Sequence, residues 1–119
     1  MFPNVYAVLK ASAAVTAIIG AAPRAYRHGS APQSPVRPYV TFSFPGGDAE
    51  NGLDVVSSDT FRLQVDCWHD NDPGIETLAA AVRAAIEPNA HLVAYTADER
   101  DFATQTFRIG LAFDWITAR

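Results

Sequence analysis

The stretch "VDCWHDND", residues 65–72, holds the residue types with which a small protein does chemistry. Cys67, His69, Asp70 and Asp72 are all competent metal ligands, and His91 is available to join them from further along the chain. The same cluster sets a thiol near an imidazole, the raw material of a nucleophilic cysteine. The surrounding pattern argues against both. Alternation along "TFRLQVDCW" puts Phe61, Leu63, Val65 and Cys67 on one face and Arg62, Gln64, Asp66 and Trp68 on the other. Cys67 thus points into a core, while His69 lies past the strand end. No CxxC or HxxxH pairing supports a metal site, and Asp66 and Asp70 flank the thiol with the wrong sign for a thiolate. A buried free cysteine behaves as a small apolar side chain. Nucleotide-binding and hydrolase signatures are absent as well, and "PGGDAENG" has glycines but no helix start behind it. The sequence predicts no catalytic residue, no metal site and no cofactor.

The elements around this cluster follow from periodicity. Residues 3–20 read as two short helices. Pro3 suits a first turn, and Val5, Val8 and Leu9 share a face. Ser12 caps a second helix whose Val15, Ile18 and Ile19 point inward, and Gly20 stops it. A short extended piece spans 24–27. "YVTFSF" alternates Val40, Phe42 and Phe44 against Tyr39, Thr41 and Ser43, which is a half-buried strand. After the strand ending in "VDCW", Asp72 as cap and Pro73 in the first turn open a helix with Ile75, Leu78, Ala79, Val82 and Ile86 on one stripe, closed by Pro88. "HLVAYT" is a strand, "ADERD" an acidic turn, and "TQTFRIGLAFDWI" a last alternating strand. The expected fold is α+β: a mainly antiparallel sheet of about four to five strands, with the N-terminal helices and one amphipathic helix packed on it.

With 119 residues, 49% of them apolar, the chain is expected to form one domain over residues 1–119. One cysteine rules out an internal disulfide. The run "ASAAVTAIIGAAPRA" imitates a signal peptide, but no basic residue precedes Lys10, and the run is too short to cross a bilayer. The chain is therefore expected to be soluble, mature from Met1, and without a membrane partner.

Charge divides the chain. Residues 1–47 hold Lys10, Arg24, Arg27 and Arg37 and no acid, whereas residues 48–119 hold all 13 acids against five arginines. Two appendages carry this asymmetry. The ribbon 28–38 is stiffened by Pro32, Pro35 and Pro38, which hold the residues before them extended, and is flanked by Arg24, Arg27 and Arg37. The glycine-rich loop 45–59 carries Asp48, Glu50, Asp54 and Asp59 with no base. A net charge of −4 disfavours nucleic-acid binding as an affinity function. Opposite signs on one chain suit contacts between copies or with a neighbour, so an interaction protein is favoured over an enzyme.

The order of features resembles the tail-completion, or tail-terminator, proteins of long-tailed phages, prophages and gene-transfer agents. The resemblance rests on Arg24, Tyr26, Ala31, Pro32, Gln33, Pro38, Tyr39 and Val40, on "VDCW" before an alanine-rich helix, and on the final aromatic strand. It implies a virion protein, assembled in the host cytoplasm, that forms a hexameric ring on the head-proximal end of the tail tube. Such a ring ends tube polymerisation and docks a head-completion, or stopper, protein, while DNA passes through without specific binding. Arg24, Arg27, Arg37, Pro32 and Pro35 would then contact a neighbouring subunit or the major tail tube protein. Asp48, Glu50, Asp54 and Asp59 would face either the channel, where six copies place about 24 carboxylates, or the solvated rim. Two alternatives stay open: a head–tail connector subunit, or an unrelated ligand-binding or enzymatic α+β domain.

Overall fold

The computed structural model describes residues 2–27, 31, 36–50 and 58–118, without the side chains at 47–50, 58 and 118. Two short helices, α1 (Val5–Lys10) and α2 (Ala13–Ile19), lead into β1 (Ala25–Arg27), β2 (Tyr39–Glu50) and β3 (Ser58–His69). Helix α3 (Asp72–Ile86) and the hairpin of β4 (Ala90–Asp101) and β5 (Thr106–Ala118) complete the chain. The order of elements agrees with the periodicity, and the fold is α+β. No described helix is long and apolar enough to cross a membrane.

The five strands lie in the order β1-β2-β3-β5-β4, antiparallel except for the β1–β2 pair. Parallel neighbours need a crossover to bring the chain back, and the proline ribbon is that crossover. All three helices cover one face. On that face Leu63, Val65, Leu111 and Phe113 are fully buried beneath Ile75, Leu78, Val82 and Ile86 of α3 and Leu9, Val15 and Ile19 of the helix pair. Six- and seven-residue helices are not stable alone; burial of these stripes against α3 holds them. Asn4 accepts the Ala7 N–H at 3.1 Å and Ser12 the Val15 N–H at 3.3 Å, so each helix has its cap. Gly20 ends α2 at φ +101°, where a side chain would be strained.

Four local expectations shift. Pro3 precedes the Asn4 cap and is buried, rather than lying in the first turn. Asn71, not Asp72, caps α3, its Oδ1 accepting the Gly74 N–H at 2.6 Å. "ADERD" is not a turn: β4 runs to Asp101, and the turn is residues 102–105, fastened by the Asp101 carboxylate accepting the Ala103 and Thr104 N–H groups. Both described ends of the expected loop 45–59, residues 45–50 and 58–59, are strand, since β2 and β3 pair from Gly46↔Arg62 to Glu50↔Ser58, past a register shift after Ser43. With β5 pairing as far as Ala118, these strands form a three-stranded tongue beyond the end of α3. The molecule measures 55 × 26 × 25 Å accordingly.

Candidate functional site

The structure disperses the "DCWHDND" cluster. Cys67 is fully buried, and burial, with Asp66 beside it, pushes its thiol far above the ordinary range, so it is neither a nucleophile nor a ligand. His69 Nδ1 accepts the backbone N–H groups of Asp70 and Asn71 at 2.9 and 3.1 Å, fastening the strand-to-helix turn. Asp72 pairs instead with Arg100 on β4. His91 lies at the opposite end of the sheet, across from Asp114. Among the described residues no three His, Cys, Asp or Glu side chains gather as a metal site.

The arginines around the ribbon have definite places. Arg24 Nε donates to the Pro38 carbonyl at 2.9 Å and its Nη2 to Ile18 O at 3.5 Å, so it ties the C-terminal end of the ribbon to the base of β1 and to α2. Arg37 Nη1 donates to Gln105 O at 3.0 Å and Thr106 Oγ1 at 2.7 Å, anchoring the start of β2 to the β4–β5 turn. Arg27 lies over the rings of Phe2 and Phe44, 5.3 and 5.0 Å from their centroids. Those rings and Phe61 form an aromatic cluster at the root of the tongue, with Phe2 half-exposed. Pro32, Pro35 and Asp54 lie outside the described residues. Asp48 and Glu50 belong to the last stretch of β2, and Asp59 stands opposite Ala49 and Thr117, so the three occupy the tongue.

Two surfaces remain. On the helix-free face, Tyr26, Tyr39, Trp68 and Arg108 form a row across four strands. Tyr39 and Trp68 stack at 5.8 Å, and the Arg108 guanidinium sits 5.4 Å from the Trp68 ring and 3.0 Å from Glu99. Both arginines on this face are paired, Arg62 with Asp114 at 2.7 Å and Arg108 with Glu99 at 3.0 Å and Asp66 at 3.6 Å. On the other side of the sheet, an open groove of about 420 Å³ runs between α3 and β4. Its floor is Ala79, Ala80, Ala84, Ala97 and Ile109. Its rim is polar: Arg83 bonds Glu87 at 3.2 Å and the Tyr95 hydroxyl at 2.8 Å, and Arg100 bonds Asp72 and Asp98. Neither surface brings together a nucleophile, a base and a bound electrophile.

Against known families, the profile of tail completion protein gp17 matches residues 3–118. The chain belongs to that family. A tail completion protein is a structural component of the virion tail that associates with other virion parts and is not an enzyme. No curated protein matches the chain. Among solved structures, a chain from the virion of a native gene transfer agent particle superposes with a TM-score of 0.63 at 21% identity, over 97% of this chain and 92% of that one. At that identity the likeness is one of fold.

For a tail completion protein, the surfaces that matter are those that meet neighbours, and the α3–β4 groove escapes periodicity analysis. A signal for it is present in "ETLAAAVRAAI": Ala80 and Ala84 are exposed, off the buried stripe and in register with Glu76, Arg83 and Glu87.

Proposed function

We propose that this tail completion protein caps the head-proximal end of the tail tube as a ring, most simply of six copies. It stops addition of the major tail tube protein and offers a docking face to the head-completion protein, with DNA passing through its channel. The observation that carries the reading is the family match over residues 3–118. The chain's chemistry supports it, because side chains capable of catalysis are spent on packing and turns, while charge of both signs is kept at the surface. In particles lacking the protein, electron microscopy is expected to find tubes longer than normal and not joined to heads. Tubes of normal length that merely lack heads would sink the terminator reading and favour the connector.

The appendages take their places within this function. With Arg24 and Arg37 fastening its C-terminal end, the ribbon of Pro32 and Pro35 acts as a stiffened strip that, with Arg27, lies on a neighbouring subunit or on the tube. A stiffened segment loses less conformational entropy on contact. The tongue, bearing Asp48, Glu50 and Asp59 and leading into Asp54, faces the channel, where its carboxylates keep DNA from adhering. Asp48→Asn, Glu50→Gln and Asp54→Asn together are expected to leave assembly intact and slow DNA ejection several-fold. Ejection at the normal rate from intact particles would place the carboxylates on the rim.

A further inference from the structure

The strand order gives the charge asymmetry a direction. Order β1-β2-β3-β5-β4 puts the N-terminal segment at one flank of the sheet and the α3–β4 unit at the other. On the first flank, the segment up to the start of β2 carries Lys10, Arg24, Arg27 and Arg37 and no acid, and the acids of β2 itself, Asp48 and Glu50, lie at its far end in the tongue. The second, residues 72–101, carries Asp72, Glu76, Glu87, Asp98, Glu99 and Asp101 against only Arg83 and Arg100. One chain therefore presents a basic side and an acidic side across the width of its sheet.

The two flanks are also matched in shape. On the basic side, the buried stripe of Val5 and Leu9 turns Tyr6 and Lys10, one helical turn apart, outward from α1; Tyr6 is 38% exposed. On the acidic side, the α3–β4 groove has an alanine floor, room for one or two large side chains, and a rim that includes Glu76, Glu87 and Asp98. Arg83 and Arg100 reach several of these carboxylates, but Glu76 lies 3.9 Å from Arg100 and its side chain is 68% exposed. Backbone pairing along the β4 edge is impeded by the register shifts at Leu92/Ala94 and Tyr95/Ala97, which leaves side-chain docking in the groove as the means of contact.

We propose that the groove between α3 and β4 is the seat for the α1 flank of a second copy of this chain, with Tyr6 entering over the alanines and Lys10 meeting Glu76 and its neighbours. This rests on the ring reading above and supplies its subunit contact. The contact is heterologous, one flank against the opposite flank, the kind that closes into a ring when the rotation from copy to copy divides the full turn and otherwise grows as an open filament. Unlike charges facing each other also fix the register of the contact and disfavour pairing like flank with like.

Charge reversal tests the pairing. Both sites are exposed, so Lys10→Glu and Glu76→Lys are expected to fold as the wild type does by circular dichroism and thermal unfolding. Each alone is expected to reduce incorporation of the protein into particles at least about tenfold. The two together in one chain are expected to restore incorporation to within about twofold, because the reversed flanks again match. In the same particles, Lys10→Cys with Glu76→Cys is expected to give a ladder of multimers with a short bis-maleimide, without background from the buried Cys67. Normal incorporation of both single variants, absence of the ladder from assembled particles, or variants that incorporate normally and only lose heads would overturn the proposal. If wild-type protein is not present in particles as touching copies, the ring itself fails; if it is, and the reversals have no effect, only this pairing of flanks fails.

Discussion

Phe113→Ala is expected to destabilise the protein by about 3–5 kcal/mol, the cost of truncating a fully enclosed aromatic side chain. Phe113 heads the fully buried side chains in volume and lies on β5, between Leu63 of β3 and Leu92 of β4, under the helix layer. β5 is paired on both sides, with β3 and β4, and the helix layer closes the space above it, so the backbone cannot collapse into the void. Domains of this size have about 5–15 kcal/mol in hand, so the variant loses a large part of its stability and its melting temperature falls by roughly 12–20 °C. Phe113→Leu, which keeps most of the volume, is expected to cost less than about 1.5 kcal/mol. Calorimetry on the two variants decides the matter: a loss below about 1 kcal/mol for the alanine would mean that the core is not centred on β5.

Gly74→Ala is the second large effect, and its cause is a turn. A Cβ at Gly74 would stand 2.3 Å from His69 Cε1 and 2.5 Å from both His69 Nε2 and Asn71 Oδ1. Neither side chain is free to leave. His69 holds two backbone N–H groups through Nδ1, and Asn71 is the cap of α3. Displacing them forfeits a helix cap and one or two hydrogen bonds, about 2–3 kcal/mol in all. The decisive measurement is a double-mutant cycle. His69→Ala removes two of the three close contacts and leaves only Asn71 Oδ1 to shift, so Gly74→Ala should cost markedly less in the His69→Ala background. Simple addition of the two losses would show that the ring and the glycine do not share the space.

This turn shows what the sequence carries and what it withholds. The alternation of Phe61, Leu63, Val65 and Cys67 and the stripe from Ile75 to Ile86 suffice to name β3 and α3, because burial imposes a period on apolar residues. The same logic misplaces the ends of β2 and β4. Gly46 to Glu50 and Asp98 to Asp101 are strand by backbone pairing, yet their sequences, GGDAE and DERD, hold no alternating apolar residues to detect. Asp72 and Asn71 are both good caps, and only the φ/ψ of the junction selects the asparagine. For the arginines, residue type is visible but partners are not. Arg37 bonds Gln105 and Thr106 across 68 and 69 positions of sequence, a distance no local pattern spans. The division of charge between the halves of the chain is plain in the sequence; that the halves become opposite flanks depends on the strand order.

The interrupted edge of β4 has a consequence for the life of the free subunit. A twelve-residue border strand is a template onto which other chains can grow as fibrils. Here two dislocations in its pairing with β5 bend the border, and Asp98, Glu99, Arg100 and Asp101 line its far end. The border of β4 is thereby a poor template for strand addition, and the free subunit is expected to resist growth into fibrils through it.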